Sequence, residues 1–288
     1  MEIIKENIQY ENPFLCMKIF EADRGASALG NWHYHKEMEI LVILNGEFEI
    51  HTEDGYYHLS DGDVLVIGSS QLHRDRVLVE KSRYYVFQFD MQYYMEPSIL
   101  PYLRFFLEQD FPFSRLNYIF QENREARETV HYCVQEIHRE SQAKEHGYEI
   151  AVSMLIKKIL LVILRNDTRK LLTHPESSEV LRLKPVLSYI EEHIEDKIHV
   201  EEASRIANIS YYYFVKYFKK VLGMSFLEYV NFKKIKRAER YLLTEDKSIA
   251  EVGEAIGMPN MAHFYKLFKK YNSCSPNEYR KKMLEWSK

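Results

Sequence analysis

The stretch that decides the fold is Ser248–Arg280, which reads SIAEVGEAIGMPNMAHFYKLFKKYNSCSPNEYR. An earlier stretch, from Val200 to Tyr229, has the same order of apolar, small and basic residues. The two copies are offset by 49 residues before a central turn and by 50 residues after it. A duplicated supersecondary unit is the economical explanation of such a repeat.

Each copy predicts two helices that meet at a tight turn. Small residues lie where the helices approach, and phenylalanines four positions apart give the second helix an inward face. These residues are Ala203, Ala207, Phe214 and Phe218 in the first copy and Gly253, Gly257, Phe264 and Phe268 in the second. Three helix starts have the Ser-x-x-Glu pattern of a capping box, at Ser225, Ser248 and Ser275.

Two such units, joined by a long helix over about Ser225–Leu243, resemble the DNA-binding domain of the AraC/XylS family of transcriptional regulators. The resemblance covers about 100 residues. It implies that the second helix of each unit enters the major groove of double-stranded DNA. The residues it implies at the DNA are Tyr212, Val215, Lys216, Lys219 and Lys220 in the first unit, and Met261, Ala262, His263, Lys266, Lys269 and Lys270 in the second. The family usually has polar residues at Met261 and Ala262, so the second unit is expected to read thymine methyl groups or to rely on backbone contacts.

Composition and charge agree with a two-domain protein that binds nucleic acid. The chain has 288 residues, of which 46% are hydrophobic, so wholesale disorder is excluded. Residues 182–288 carry a formal charge of +6 and residues 1–181 carry −10. Three scattered cysteines, the absence of a secretory pattern and an apolar run of only about 15 residues at Ile150–Leu164 predict a cytoplasmic protein with no membrane span.

The N-terminal part predicts a small antiparallel β-barrel. Between Ile40 and Phe89, short apolar runs alternate with Asn-Gly and Asp-Gly pairs, which are strong hairpin signals. Helical periodicity follows over 122–141 and 148–165 and predicts a helical hairpin. Its apolar face either covers the barrel or pairs with a second copy of the chain.

A second motif lies at the start of the barrel. His33-x-His35-x3-Glu39, a glycine turn and then His73 resemble the cupin barrel, whose metal-binding members use these positions as ligands. The second half of that pattern departs from the family, because Gly68 stands where proline is usual. Nitrogen and carboxylate donors of this kind would suit a divalent transition metal.

Cupin-like barrels also form the sensory domain of AraC-type regulators, many of which bind sugars or other small molecules. The resemblance therefore implies an organic effector, with a carbohydrate favoured and no cofactor required. Its expected contacts are Arg24, Trp32, His33, Tyr34, His35, Glu39 and His73. Two other interpretations stay open: a divalent metal held by His33, His35, Glu39 and His73, or histidines with a structural role.

The prediction is an α+β multidomain protein that is a transcription regulator and not an enzyme. Its expected domains are a cupin-like effector-binding β-barrel (1–95), a helical hairpin for dimerisation (96–173), a linker (174–182) and a double helix-turn-helix domain, all α-helical (183–288). The resemblance implies a homodimeric activator that contacts RNA polymerase. The alternatives are a metal-sensing regulator and a cupin metalloenzyme, although no phosphate-binding loop or nucleophile elbow is present in the sequence.

Overall fold

The computed structural model describes residues 3–12, 15–94, 102, 106, 112–172, 177–272 and 274–286. These residues form two compact units. The first takes its described residues from 3–94 and 106–172, and the second takes them from 102 and 177–286. No helix in these ranges combines the length and the apolar character needed to cross a membrane.

The first unit is built on two β-sheets. Its strands are β1 (Ile4–Lys5), β2 (Met17–Arg24), β3 (His33–Tyr34), β4 (Met38–Asn45), β5 (Phe48–Thr52), β6 (Gly55–Leu59), β7 (Val64–Ile67), β8 (His73–Val77) and β9 (Ser82–Phe89). One sheet has the order β1-β3-β8-β5-β6 and the other has the order β2-β9-β4-β7. The pairs are antiparallel, as predicted, except that β1 runs parallel to β3.

The apolar core of this unit lies between the two sheets. Alternate residues of a strand share one face, so each strand contributes every second side chain to the core. Leu41, Ile43, Leu65, Ile67, Tyr84 and Val86 come from one sheet, and Phe48, Ile50, Leu59 and Val77 come from the other. The hairpin turn at Gly46 requires glycine, because its φ is 118° and a Cβ there would lie 2.6 Å from the Cβ of Ser82.

Two long helices follow the strands, and the first of them packs on one sheet. Short 3₁₀ turns (Met91–Tyr94 and Phe113–Asn117) precede α1 (Tyr118–Glu122), α2 (Arg124–Ala143) and α3 (Tyr148–Asn166). The α2 helix begins two residues later than predicted, because the Asn123 side chain accepts a hydrogen bond from the backbone N–H of Ala126 at 3.1 Å. The apolar stripe of α2 is buried and packs against β2, β7 and β9. This face of the hairpin therefore covers the barrel.

The second unit is entirely helical in its described residues. Its helices are α4 (Ser177–Glu192), α5 (Val200–Ile206), α6 (Tyr211–Leu222), α7 (Phe226–Thr244), α8 (Ile249–Ala255), α9 (Met261–Asn272) and α10 (Pro276–Trp286). Helix α4 begins inside the range 174–182, where the sequence predicted a linker. Residues 174–176 of that range lie outside the described residues.

The duplication is visible as two helix pairs, α5–α6 and α8–α9, joined by α7. Their four phenylalanines, Phe214, Phe218, Phe264 and Phe268, are completely buried. All three capping boxes are present, since each serine side chain accepts from the backbone N–H of its glutamate and each glutamate accepts from the backbone N–H of its serine. These caps satisfy N–H groups that a helix start leaves without partners.

Candidate DNA-binding surface and effector cavity

The α6 helix presents its predicted contact residues to solvent. Burial of Phe214 and Phe218 directs the opposite face of the helix outward. Tyr212 on that face is 83% exposed, and Lys216, one turn further on, is also exposed. Tyr211 and Tyr213 were not predicted as contacts, yet both are exposed at the same end of the helix. The run of three tyrosines was the signal for this aromatic patch.

The α9 helix repeats this arrangement with different side chains. Ala262, His263 and Lys266 are exposed. The backbone N–H of His263 donates to the Asn260 side chain at 3.0 Å, which caps the first turn. Met261 is half-buried, and its sulfur would lie 3.1 Å from a Cβ built on Gly253 of α8. Met261 therefore packs partly against its own unit, unlike the other predicted contacts.

The exposed lysines of α6 and α9 lie at two positions along each helix. The pairs Lys219–Lys220 and Lys269–Lys270 are exposed in the last turns of α6 and α9, where cations complement the helix dipole. The hydrogen bond from Ser225 is the main cause of the lowered pKa of the Glu228 carboxyl, and the charges of Lys270 and Lys219 lower that pKa further. Lys216 and Lys266 lie nearer the helix starts, the end from which a recognition helix contacts base edges.

The first unit contains a partly open cavity of about 280 Å³. Its walls combine apolar side chains in the middle with polar groups at two ends. The residues that line it are Glu6, Phe20, Ala22, Arg24, His33, Glu39, Leu41, Phe48, Ile50, His73, Asp75, Tyr84, Val86 and Gln88. A volume near 300 Å³ with a few convergent polar groups is typical of a site for a small ligand.

One end of the cavity is organised around the buried carboxylate of Glu39. Its Oε2 accepts a hydrogen bond from Gln88 Nε2 at 2.7 Å and lies 3.2 Å from His35 Nε2. Its Oε1 lies 3.7 Å from His73 Nε2. Strand register produces this cluster, because Glu39 pairs with Gln88 across β4 and β9.

Two buried polar atoms at this end have no hydrogen-bond partner in the protein, namely His73 Nε2 and Gln88 Oε1. The other ring nitrogen of His73 lies 2.9 Å from the Gln71 carbonyl, to which it can only donate. Its Nε2 is therefore an acceptor when the ring is neutral. Buried polar groups without partners are rare and costly, so a bound water, ion or ligand group would be stabilised beside these two atoms.

Charge stabilises the carboxylate in spite of its burial. Burial opposes ionisation of Glu39, but the hydrogen bond with His35 and the charges of His73 and His35 lower its pKa to about 2. For His35, burial by itself would lower the pKa. The hydrogen bond and the charge of Glu39 outweigh burial, so the pKa of His35 is raised. For His73 burial dominates, so its pKa is lowered. These shifts favour the ionised form of Glu39 and the protonated form of His35, and they favour the neutral form of His73.

Among the described residues, His35, Glu39 and His73 could hold a metal ion, because one donor atom from each lies within 4.8 Å of the others. Both histidines place Nδ1 against a backbone carbonyl, at 3.0 Å for His35 and 2.9 Å for His73. This arrangement directs each Nε2 inward and is common for metal-bound histidines. His33 is not part of this group; its ring packs on that of His73 with centroids 4.1 Å apart, and its Nδ1 lies 3.1 Å from the Asn31 carbonyl.

The other end of the cavity is formed by Arg24, Asp75 and Tyr84. The Arg24 guanidinium donates to Asp75 Oδ2 at 2.8 Å and to the Tyr84 hydroxyl at 3.1 Å. Arg24 is the last residue of β2, where its carbonyl accepts from the Ser82 hydroxyl at 2.8 Å.

The expected effector contacts divide into two groups. Arg24, His33, Glu39 and His73 line the cavity, whereas Trp32, Tyr34 and His35 are not among its described lining residues. The Trp32 ring packs instead against the Arg74 guanidinium, 4.6 Å from the ring centroid.

Sequence reasoning missed Gln88, Asp75 and Tyr84 as cavity residues. For Gln88 a signal was available, because it shares the face of β9 that carries Tyr84 and Val86 and is the polar member of that set.

Comparison with known proteins finds relatives for both units. A family model described as an AraC-like ligand binding domain matches residues 22–155, and one described as a helix-turn-helix domain matches residues 203–282. An uncharacterised HTH-type transcriptional regulator of Haemophilus influenzae is 24% identical over 270 residues, which are 88% of this chain and 91% of that protein.

A second regulator, YdeC of Bacillus subtilis, is 24% identical over 294 residues, with 96% of this chain and 95% of YdeC covered. Among solved structures, the C-terminal domain of the response regulator yesN from Fusobacterium nucleatum is 30% identical. That match covers 33% of this chain and 93% of the yesN domain, with a TM-score of 0.32.

Proposed function

Because the chain belongs to the AraC family of transcriptional regulators, we propose that it is an activator controlled by a small hydroxylated effector, most simply a carbohydrate. The DNA-binding part rests on one observation: α6 and α9 present Tyr212 and Lys216, and His263 and Lys266, on outward faces. A helix fits the major groove, and its N-terminal side chains reach base edges. The two helices would read successive major grooves, about one helical turn apart.

Measuring specific against non-specific affinity tests this reading. Duplexes selected by the full-length protein from a random-sequence library serve as probes, with scrambled duplexes as competitors. Tyr212→Ala and His263→Ala should reduce the ratio of specific to non-specific affinity, since they remove contacts to bases. We assign Lys216 to a phosphate, so Lys216→Ala should weaken both affinities together, because a phosphate contact carries no sequence information. If Tyr212→Ala and His263→Ala had the same ratio of specific to non-specific affinity as Lys216→Ala, the assignment of Tyr212 and His263 to bases would be contradicted.

The effector proposal is supported by the chemistry of the cavity. Its ends offer both donors and acceptors, at Arg24 and Asp75 on one side and at Glu39, Gln88 and His73 on the other. The middle is lined by apolar side chains, which suit the C–H faces of a sugar ring. Ligand hydroxyls would give His73 Nε2 and Gln88 Oε1 the partners that the protein does not supply.

A thermal-shift screen of the full-length chain with mono- and oligosaccharides, with and without chelator, tests the effector. A ligand at about 100 times its Kd adds roughly 2.7 kcal/mol to the unit that it binds. The rise in Tm should survive chelation and should be lost in Gln88→Ala, while Tyr56→Ala, an exposed residue of the same unit, should keep it. Lack of response to all sugars would contradict the carbohydrate proposal.

A metal-sensing regulator is the second candidate, favoured by the inward-facing Nε2 atoms of His35 and His73 beside Glu39. These three residues would hold a divalent transition metal, which would supply a charge that couples the two sheets. In that case chelation should lower Tm, and added metal should restore it and change the affinity for DNA. The named relatives are transcriptional regulators, which supports this candidate over a cupin metalloenzyme.

We propose a homodimer formed through the outer face of the helical hairpin. Ile150, Met154 and Leu161 are exposed on α3, and Tyr132 is exposed on α2. Exposed apolar side chains that form one patch are typical of contact surfaces. Analytical ultracentrifugation should show a dimer that Met154→Lys converts to monomer, whereas Lys158→Met should stay dimeric.

Activation through contact with RNA polymerase is proposed from family membership. Transcription reconstituted with purified polymerase, the full-length protein and a template that carries its selected site tests it. Transcript levels should rise with added protein, and a fall would identify a repressor.

A further inference from the structure

One lysine of α7 is buried although its neighbours on the same helix are partly exposed. Lys234 is 5% exposed. Lys233 forms an ion pair with Glu191, and Lys236 forms one with Glu239 at 2.9 Å. The basic pattern of the joining helix therefore contains one residue with a separate role.

The ammonium group of Lys234 bridges two distant segments of the second unit. Its Nζ donates to the Asp196 carbonyl at 2.7 Å and to the Ile256 carbonyl at 2.5 Å. Asp196 lies between α4 and α5, just before the helix pair α5–α6. Ile256 ends α8, in the helix pair α8–α9. A cation is favoured at Ile256, because carbonyls at the end of a helix carry partial negative charge.

The neighbouring glycine shows how close the two segments are. Gly257 has a φ of 66°, and a Cβ there would lie 2.5 Å from the Glu195 carbonyl oxygen and 2.7 Å from Lys234 Nζ. No side chain fits between the turn that follows α8 and residues 195–196. We call Lys234, Asp196, Ile256 and Gly257 the lysine clamp.

Stability alone does not account for a buried ammonium at this place. Burial lowers the pKa of Lys234, with opposition from the Asp196 carboxylate, so the charged form is held at a cost. Apolar side chains of similar volume often replace buried charges without loss of stability. What the lysine supplies and a methionine lacks is a directional link to two named carbonyls.

We propose that Lys234 is a positioning residue for DNA recognition, and that the lysine clamp holds α6 and α9 at one mutual orientation. This orientation would set the spacing of the two DNA half-sites that the protein accepts. The inference rests on the proposed function, since it requires that both helices enter DNA. Each added base pair rotates the second half-site by about 35° around the duplex, so a rigid pair of helices is sensitive to spacing.

The test combines a change in the protein with a change in the DNA. A duplex selected by the full-length wild type, with half-sites defined by footprinting, is compared with the same duplex carrying one extra base pair between them. Kd is measured for the wild type, for Lys234→Met and for Lys233→Met. The last variant removes the same charge from the same helix but leaves the clamp intact.

The wild type should lose at least about tenfold in affinity on insertion, within the usual range of roughly 5- to 150-fold for coupled sites. Lys234→Met should bind the selected duplex more weakly and should lose only about threefold or less on insertion. Lys233→Met should keep the wild-type insertion penalty.

If folded Lys234→Met loses as much affinity on insertion of the base pair as the wild type does, the clamp is not a positioning device. The proposed function would still stand. A wild type with no penalty would overturn both the two-helix reading of DNA and the clamp's role. Circular dichroism establishes that Lys234→Met is folded. If it is not, Gly257→Ala decides, because it forces the same turn away from residues 195–196 and should also reduce the penalty.

Discussion

Replacing Phe214 with alanine should unfold the second unit at moderate temperature without touching the DNA-contact face. The Phe214 ring is completely buried. Its centroid lies 5.6 Å from that of Phe218 and 5.4 Å from that of Phe226, and the last two lie 5.3 Å apart. These three rings connect α6 to the start of α7, so removal of one leaves a cavity that the other two cannot fill.

The size of the effect follows from that burial. A Phe→Ala change in a packed core costs about 3 to 5 kcal/mol. For a unit of this size, each kcal/mol lowers Tm by about 4 °C, so a decrease of roughly 12 to 20 °C is expected. Tyr213→Ala is the matched control, because Tyr213 is the adjacent aromatic residue on the same helix and is 54% exposed. We expect it to change the free energy of unfolding by less than about 1 kcal/mol.

Calorimetry of the full-length chain measures the change, and hydrogen exchange assigns the shifted transition to residues 177–286. DNA binding supplies a second readout. Well below its lowered Tm, Phe214→Ala should bind DNA with nearly wild-type affinity, whereas loss of a contact residue weakens binding at every temperature. A Tm decrease no larger than that of Tyr213→Ala would refute the packing argument.

Three other outcomes are expected. Lys216→Ala should reduce the slope of log K against log salt by about 0.9, the value for one phosphate contact, with Tm unchanged. Ser225→Ala should cost about 1 kcal/mol at neutral pH, and less as pH falls through the lowered pKa of Glu228, because the carboxylate then becomes protonated. In native protein a thiol reagent at pH 8 should leave Cys133 unmodified and should modify the less buried Cys274 faster, since burial raises the pKa of Cys133 to about 11.

Each of these expectations has a control. Tyr213→Ala should keep the wild-type salt slope, because it removes no positive charge. The sign of the pH effect follows from the lowered pKa of Glu228, due mainly to its hydrogen bond from Ser225: the stabilisation is present above its ordinary value and is lost as pH falls through the lowered one. For the thiols, unfolding in denaturant should make all three cysteines reactive, and equal native rates for Cys133 and Cys274 would contradict the argument.

Local sequence determined the helical unit well. Capping boxes act over three residues and buried phenylalanine pairs over four, so the pattern around Ser225, Ser248 and Ser275 carries the helix starts directly. The outward faces of α6 and α9 follow from the same periodicity. The duplication made this prediction stronger, because one pattern had to account for both copies.

Tertiary structure decided the cavity of the first unit and the lysine clamp. Gln88 faces Glu39 because β9 lies between β2 and β4, and His33 faces His73 because β3 pairs with β8. Strand order and register join residues about 40 to 50 positions apart, and no local pattern specifies them. Lys234 resembles its surface neighbours in sequence, and only the approach of residues 195–196 and 256–257 makes it a buried donor.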